Sequence, residues 1–254
     1  MQKVKVMTFN VRNNSERLFY NNKENSTLKK AQILSNFIVD NNIDIIGAQE
    51  LVRKYVKILK NLLIGYNFAG EYRRQKKKFI SLANESNSII TRYKIIRTKT
   101  FYLPYFPKNK LQILKNYLDI APRIMTMVLL ELENKKRVYV FNTHLNYEFS
   151  DVQKRQLDKV LKILKKYNDY PIILTGDFNM NTDFYLFKEF VDNLKKIGIN
   201  IVDINESTNI GKDVLPIDRI FISKHFYLSG INVGNEILNN ISDHKPVIVE
   251  LELI

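Results

Sequence analysis

The sequence predicts an α/β fold in a single domain that spans residues 1–254. Short β-branched runs alternate with amphipathic stretches at helical spacing, which is the pattern of an α/β protein. Apolar residues make up 45% of the 254 residues, enough for a substantial core. No linker, low-complexity tract or internal sequence repeat divides the chain, so we expect one domain in which strands outnumber helices.

Eight segments have the composition of strands and four have the spacing of helices. The strands are predicted at residues 4–10, 43–49, 88–91, 124–131, 138–143, 172–175, 217–222 and 247–253. The helices are predicted at residues 27–41, 51–63, 151–167 and 182–196. In the first helix Ser26 or Thr27 can cap the N-terminus, while Ala31, Leu34 and Ile38 share one face.

Two segments interrupt this alternation and are predicted to be surface loops, at residues 71–86 and 104–122. The first contains the basic run Tyr72-Arg73-Arg74-Gln75-Lys76-Lys77-Lys78-Phe79. Surface loops commonly carry the residues that determine specificity. We therefore expect substrate contacts from these two segments.

The composition limits the chemistry that the chain can perform. It contains no cysteine, which excludes disulfides, thiolate zinc sites and cysteine nucleophiles, so a metal must be bound by oxygen or imidazole. Forty Lys and Arg against 26 Asp and Glu give a net charge of +14, which favours a polyanionic partner such as nucleic acid or an anionic membrane. The abundance of Lys, Asn and Ile is also typical of an AT-rich genome, which is an alternative origin of the basicity.

The sequence has no feature of a membrane or secreted protein. No apolar stretch reaches the ~18 residues needed to cross a bilayer. The first residues lack the apolar run of a secretory signal. The sequence therefore predicts a cytoplasmic protein without a transmembrane segment.

Polar side chains gather where the predicted strands end. They are Asn10, Gln49-Glu50, Asn142-Thr143-His144, Gly176-Asp177-Phe178-Asn179 and Ser242-Asp243-His244. Asp218 lies within an otherwise apolar run. Because α/β sheets place ligands beyond their strand ends, we expect these segments to meet in one cleft.

The residue types in this set suit metal-assisted hydrolysis of a phosphate ester. Mg²⁺ prefers carboxylate, amide and water oxygens, and zinc fits such a set less well. The oxygen-bearing residues are Asn10, Glu50, Asp177, Asn179 and Asp243. His144 and His244 could orient an attacking water and offset transition-state charge, whereas His225 is predicted to be a loop or core residue.

Seven segments resemble, in order, the successive motifs of the endonuclease/exonuclease/phosphatase superfamily, which includes deoxyribonuclease I. They are Thr8-Phe9-Asn10-Val11-Arg12, Gln49-Glu50, Asn87-Ser88-Ile89-Ile90-Thr91-Arg92, Asn142-Thr143-His144-Leu145, Gly176-Asp177-Phe178-Asn179, Ile217-Asp218-Arg219-Ile220-Phe221 and Ser242-Asp243-His244-Lys245-Pro246-Val247. The resemblance implies a four-layered α/β sandwich, in which two mainly antiparallel sheets pack face to face between helices. It also implies a monomeric hydrolase that uses Mg²⁺ or Mn²⁺.

The resemblance assigns roles to the metal and water sites. Glu50 would be the principal metal ligand, with Asn10 beside it and a contribution from Asp243. Asp177 would orient or deprotonate the attacking water, and Asn179 would hold a phosphate oxygen.

The resemblance also assigns residues that contact the phosphate. His244 would bind the scissile phosphate and share the acid/base work, oriented by Asp218, while His144 matches the second histidine of the deoxyribonuclease-like members. Asn87 would line the cleft. Arg123 stands where related enzymes often carry an arginine that contacts phosphate, although an exposed basic residue at a strand start is the alternative.

The preferred substrate is a nucleic acid, cut or trimmed as a phosphodiester. Arg73 and Arg74 would form a basic edge with Lys76, Lys77 and Lys78. Unpaired bases could stack on the neighbouring rings of Tyr72 and Phe79. The alternative for this run is a solvated, lysine-rich hairpin. The segment Asn142-Thr143-His144 replaces the tyrosine-bearing segment of abasic-site enzymes, which disfavours an abasic endonuclease.

Two other functions remain open. A phosphatase or phospholipase would act on phosphoinositide, sphingomyelin-like or small-molecule phosphate esters, and the apolar residues of 103–117 would contact a lipid. A catalytically silent binding module is disfavoured, because Glu50, Asp177 and His244 are all retained.

Overall fold

A computed structural model describes residues 2–12, 27–74, 84–109, 122–204, 206–210 and 215–254. In these residues the chain forms twelve strands and five helices. In chain order they are β1 (Gln2–Asn10), α1 (Thr27–Asp40), β2 (Ile45–Val52), α2 (Arg53–Leu62), β3 (Asn67–Ala69), β4 (Glu85–Thr91), β5 (Lys94–Leu103), β6 (Arg123–Glu131), β7 (Arg137–His144), α3 (Ser150–Leu164), β8 (Ile172–Asp177), α4 (Tyr185–Lys195), β9 (Ile199–Ile201), β10 (Asp218–Ser223), β11 (Phe226–Val233), α5 (Glu236–Asn239) and β12 (Val247–Leu253).

The strands form two six-stranded sheets with the same pattern of connections. The first sheet has the order β11-β12-β1-β2-β4-β3, and the second has the order β5-β6-β7-β8-β10-β9. Each sheet contains one parallel pair, β1 with β2 and β7 with β8, and its other pairs are antiparallel. Because a helix joins each parallel pair, the architecture repeats although the sequence does not.

Four layers result from this arrangement, and they confirm the predicted α/β sandwich. Helices α1 and α2 cover the outer face of the first sheet, with Leu34 and Leu59 buried in one apolar cluster. Helices α3 and α4 cover the second sheet, where Leu157 and Phe187 belong to a second cluster. A third cluster fills the space between the sheets.

The predicted apolar face of the first helix is confirmed. Ala31, Leu34 and Ile38 are fully buried, and they recur at the three- and four-residue spacing that keeps side chains on one side of a helix. The helix thereby fixes the crossover between the parallel strands β1 and β2, whose C-terminal ends bear Asn10 and Glu50.

The space between the sheets becomes polar toward the ends of the central strands. Gln49 Nε2 donates to Thr8 Oγ1 (3.1 Å) and to Asn142 Oδ1 (2.7 Å). Asn142 Nδ2 donates to the carbonyl oxygens of Ala48 (3.0 Å) and Ser88 (2.9 Å) across the two sheets. We call Thr8, Gln49, Ser88, Asn142 and Thr175 the polar layer. These groups are buried, so leaving them without hydrogen bonds would destabilise the fold.

Gly47 allows the two sheets to approach each other at the polar layer. A Cβ atom at this position would lie 2.0 Å from Thr175 Oγ1 and 2.9 Å from Asn142 Oδ1. We expect Gly47→Ala to lower the free energy of unfolding by about 1–3 kcal/mol, the usual effect of overpacking, as measured by urea denaturation. Gly230→Ala is the matched control, because its Cβ would lie at least 3.6 Å from any neighbour. Equal stability of the two variants would contradict the close approach.

Some strands and helices begin or end at other residues than the sequence predicts. Strand β2 continues to Val52, so α2 begins at Arg53, two residues later than predicted. In the predicted loop at 71–86, Glu85 and Ser86 instead begin the buried strand β4, which pairs with β2. Residues 75–83 of the first predicted loop and 110–121 of the second lie outside the described residues.

In the part of the chain that the structure describes, no helix is both long and apolar enough to cross a membrane.

Candidate active site

The polar strand ends meet in one place, where the two sheets face each other. The amide of Asn10 connects them, because its Nδ2 donates to Glu50 Oε1 (3.2 Å) in the first sheet and to Asp177 Oδ2 (3.0 Å) in the second. Two carboxylates from different sheets thus face a common donor. This arrangement concentrates negative charge at the end of the central strands.

The backbone at three of these positions has an uncommon conformation. Glu50 has φ 62°, Asn179 has φ 52° and Arg12 has φ 50°, all in the left-handed region that residues other than glycine rarely adopt. The pairing of β2 with β4 shifts register between Ala48 and Leu51, and the irregularity re-aims Glu50. Strained conformations of this kind cluster at functional sites.

Both imidazoles of the predicted site lie near one oxygen atom. His144 Nε2 is 3.5 Å and His244 Nε2 is 3.8 Å from Asp177 Oδ2. His244 Nδ1 lies 2.8 Å from Asp218 Oδ2, a hydrogen-bond distance. His144 Nδ1 is 4.0 Å from Glu50 Oε1. Asp177 therefore lies at the centre of the group.

Burial and neighbouring charges shift the pKa values of Asp177, His244 and His144 in different directions. Burial and then the charge of Asp218 raise the pKa of Asp177 to about 7. Burial alone would lower the pKa of His244, but the charge and hydrogen bond of Asp218 outweigh it and raise that pKa to about 10. Burial, followed by the charge of Arg123, lowers the pKa of His144. At neutral pH the site thus contains one imidazolium and one neutral imidazole.

The raised pKa of His244 predicts a pH dependence of stability. An ordinary histidine has a pKa of 6.5 and folded His244 a pKa of about 10, so the folded state retains a proton that the unfolded chain releases. The resulting stabilisation is fully present below about pH 6.5 and is lost as the pH rises through about 10. We expect the midpoint of thermal unfolding in EDTA to fall over this range. The fall should be smaller in Asp218→Asn, and equal falls in both proteins would contradict the ion pair.

The predicted phosphate-contacting residues lie in and around this group. Asn179 donates its backbone N–H to Asp177 Oδ1 (2.9 Å) and its Nδ2 to the carbonyl oxygen of Leu145 (3.0 Å). Asn87 is buried and donates to the carbonyl oxygen of Ile124 (2.7 Å), next to Arg123 in β6. These bonds fix the positions of the two amides.

Arg123 is buried, so the exposed alternative considered from the sequence is wrong. Burial lowers its pKa, and the charges of Asp177 and Glu50 act in the opposite direction. Its Nε and Nη1 atoms have no hydrogen-bond partner among the described residues. Two buried guanidinium nitrogen atoms that lack a partner among the described residues, and that experience the charges of two carboxylates, can bind an anionic oxygen that a ligand brings.

Two basic residues of the predicted edge, Arg73 and Arg74, are among the described residues, and they differ in exposure. Arg73 is not an exposed edge residue, because its side chain is 14% exposed and forms an ion pair with Glu85. Burial and then the charge of Arg123 lower the pKa of Arg73 to about 9. Arg74 is exposed, and Asn84 holds its backbone through two hydrogen bonds.

The aromatic residue of this segment also has a neighbour that the sequence did not reveal. The guanidinium of Arg53 lies 4.3 Å from the centre of the Tyr72 ring, which makes a cation–π contact. One face of Tyr72 is therefore covered. The remaining members of the predicted edge, Lys76, Lys77, Lys78 and Phe79, lie outside the described residues.

Two residues gain roles that sequence reasoning missed. Arg12 forms an ion pair with Asp243 Oδ2 (2.7 Å), while Asp243 Oδ1 is buried and has no hydrogen-bond partner among the described residues. Ser242 Oγ donates to the carbonyl oxygen of Asn10 (2.6 Å) and accepts from the backbone N–H of His244 (3.1 Å). Ser242 was within a recognised motif, but only the fold shows that it joins the Asn10 and His244 segments.

The site has the donor atoms that a metal ion requires. Three potential ligand atoms lie within 4.8 Å of one another, one each from Asp177, Asp218 and His244, so this cluster could bind a metal ion. It differs from the predicted set of Asn10, Glu50 and Asp243, and its His244 and Asp218 already share a hydrogen bond. The oxygen-rich surroundings of Glu50 and Asp177 fit a hard divalent cation.

A four-layered sandwich with a carboxylate–histidine cleft at its strand ends is the architecture of a class of phosphate-ester hydrolases. The family model described as "Endonuclease/Exonuclease/phosphatase family" matches residues 7–244. The chain therefore belongs to this family, whose members hydrolyse phosphate esters. A search of curated protein sequences finds no match.

Solved structures with this fold cover nearly the whole chain. An endonuclease/exonuclease/phosphatase from Bacteroides vulgatus is 20% identical with a TM-score of 0.77, and the match covers 100% of both chains. The mannosyl-6-phosphatase of Bacteroides thetaiotaomicron is 21% identical with a TM-score of 0.75, covering 98% of this chain and 100% of that one. The human Nocturnin catalytic domain with bound sulfate is 16% identical with a TM-score of 0.75, covering 99% and 95%. At these identities the likeness supports the fold.

Proposed function

We propose that the protein is a Mg²⁺- or Mn²⁺-dependent phosphodiesterase that acts on nucleic acid, as a monomer with one catalytic domain spanning residues 1–254. The observation that carries the proposal is the position of Arg123. Its guanidinium is buried, two of its nitrogen atoms lack partners among the described residues, and it experiences the charges of Asp177 and Glu50. A phosphate between these groups would supply the missing acceptors, and the carboxylates would be available for a cation and a water.

Each residue of the site has a task in this proposal. His244 is held as an imidazolium by Asp218 and would neutralise charge on the phosphate or protonate the leaving oxygen. Asp177, with its pKa near neutrality, would orient the attacking water and accept its proton. His144 would donate a hydrogen bond as the neutral imidazole, and Asn179 would hold a phosphate oxygen.

Glu50 would be the principal ligand of the cation, with Asn10 beside it. Asp243 would contribute Oδ1, which has no hydrogen-bond partner among the described residues. A bound divalent cation supplies positive charge to a phosphate oxygen and thereby stabilises the transition state. The protein's own contribution is to fix the ligands. Asn10 does so by bonding to Glu50 and Asp177 at once.

Charge and aromatic residues near the cleft support a nucleic acid as substrate. The chain carries a net charge of +14, Arg74 is exposed, and Arg53 stacks on Tyr72 next to Arg73. Phosphate contacts by cations release counterions, so activity on DNA or RNA should fall steeply as salt rises. Hydrolysis of a small phosphodiester should depend on salt much less.

A second candidate is a phosphatase or phospholipase that acts on small-molecule phosphate esters, phosphoinositides or sphingomyelin-like lipids. The relative from Bacteroides thetaiotaomicron is described as a mannosyl-6-phosphatase, and its fold matches along the whole chain. Phe106 is 45% exposed and its ring centre lies 4.3 Å from that of Tyr105, which offers an apolar contact for a lipid.

A substrate panel separates these two functions. Single- and double-stranded DNA, RNA, phosphoinositides, sphingomyelin and mannose 6-phosphate are incubated with Mg²⁺, Mn²⁺ or EDTA, using wild type and the Glu50→Gln and His244→Ala variants. We expect metal-dependent cleavage of nucleic acid that both variants impair. Turnover confined to lipid or sugar phosphates would overturn the nucleic-acid proposal and support the second candidate.

A further inference from the structure

Tyr147 is an exposed aromatic residue beside the cleft that the proposed chemistry does not use. Its side chain is 59% exposed. It lies three residues beyond His144, and the carbonyl oxygen of the intervening Leu145 accepts a hydrogen bond from Asn179 (3.0 Å). Tyr147 therefore follows the centre of the site by only three residues.

The turn that carries Tyr147 is firmly held by Asn146. Asn146 Oδ1 accepts hydrogen bonds from the backbone N–H groups two and three residues further along, at 2.9 and 2.8 Å. Its own N–H donates to Gln156 Oε1 (2.8 Å), and its carbonyl oxygen accepts from Gln153 Nε2 (2.9 Å). Four hydrogen bonds to one residue, two of them from helix α3, fix the direction in which the chain presents the next side chain.

A small apolar cluster lies next to the same turn. Phe149 and Val152 are buried together, and Tyr105 packs against them. Tyr147 itself is outside this cluster and more than half exposed, so the core does not require an aromatic side chain at this position.

Tyr147 is also a neighbour of the arginine proposed to bind phosphate. Its phenol lies close enough to Arg123 to interact electrostatically with the guanidinium. A phosphate held by Arg123 would therefore place its attached nucleoside within reach of the Tyr147 ring. Aromatic rings that flank a cationic groove are the usual platforms for unpaired bases.

We propose, on the basis of the proposed nuclease function, that Tyr147 is a specificity-determining residue whose ring stacks on the nucleobase attached to the scissile phosphate. A base fits this position better than an acyl chain, because Tyr147 interacts electrostatically with a guanidinium and the chain carries a net charge of +14. Every base has a stacking face, so the contact should favour nucleotides over other phosphate esters without selecting one base.

The test compares dinucleoside monophosphates with analogues that carry a tetrahydrofuran abasic unit on the 5′ side, the 3′ side or both. Tyr147→Ser should raise KM for the base-bearing substrate roughly 10-fold, within the range known for loss of one stacking contact, and change kcat less. The loss should disappear when the analogue lacks the base on the contacted side. Tyr147→Phe, which keeps the ring, should recover most of the affinity.

Tyr227→Ser is the matched control, because Tyr227 is 63% exposed and lies on the edge strand β11. It should leave KM unchanged. Equal losses on base-bearing and abasic substrates in Tyr147→Ser would show that the turn is structural and overturn the inference, as would no loss on either. If wild type hydrolyses no dinucleotide but hydrolyses sugar or lipid phosphates, the proposed function itself fails.

Discussion

His244→Ala is expected to lower kcat by at least about 100-fold, the low end of the range for losing a general acid or base. The imidazole bonds to Asp218 Oδ2 at 2.8 Å and faces Asp177 Oδ2 at 3.8 Å, so alanine removes the positive charge between two buried carboxylates. Steady-state kinetics on the best substrate of the panel, with circular dichroism to verify folding, measures the effect.

A histidine outside the cleft provides the control for this substitution. His225 contacts Ser223 Oγ (3.1 Å) in the turn before β11, so His225→Ala should retain kcat. Asp218→Asn, which keeps the shape but not the charge, should lose a large part of the activity. A wild-type rate in His244→Ala would exclude this residue from the reaction and contradict the assignment of the cleft.

Glu50→Gln is expected to increase strongly the metal concentration that the enzyme requires. Glu50→Gln removes a negative charge from the cation site that we propose, next to Asn10 and 4.0 Å from His144 Nδ1. The Mg²⁺ and Mn²⁺ concentrations for half-maximal activity should rise at least about 10-fold. Loss of a residue that only hydrogen-bonds to a metal ligand already lowers metal affinity about 10-fold or more, and Glu50 is proposed to be a ligand itself. Titration calorimetry with Mn²⁺ should show the same loss of affinity without substrate.

Glu71→Gln serves as the comparison, since Glu71 is exposed and contacts the Tyr102 hydroxyl, 3.4 Å away. Its metal dependence should match wild type. If Glu50→Gln bound Mn²⁺ as tightly as wild type, Glu50 would not be the principal ligand, and Asp177 with its neighbours would take that role.

The strands that sequence patterns predicted are those in the interior of the sheets. The four that were missed, β3, β5, β9 and β11, are the four edge strands. Strand β4 is buried along its whole length, whereas most residues of β5 and β11 are exposed or half-buried. An edge strand needs fewer apolar residues, so its composition does not distinguish it from a loop.

The contents of the site were also predictable only in part. Strand ends revealed Asn10, Glu50 and Asp177, because a polar residue after a buried run is visible in the sequence. Arg123 was named from the family resemblance and Arg73 from the basic run, but nothing in the sequence indicated that both are largely buried. Their burial depends on contacts between distant segments, including the Arg73–Glu85 ion pair, which local patterns do not encode.

The polar layer has a consequence for the dimensions of the cleft. Asn10 and Glu50 belong to one sheet, while Asp177 and His144 belong to the other. Apolar contacts have no preferred direction, but the hydrogen bonds of Gln49 and Asn142 are directional and are satisfied at only one alignment of the two sheets. A slip of one residue, about 3.3 Å, would separate the two carboxylates. Side chains that never touch a substrate therefore set the spacing of the catalytic groups.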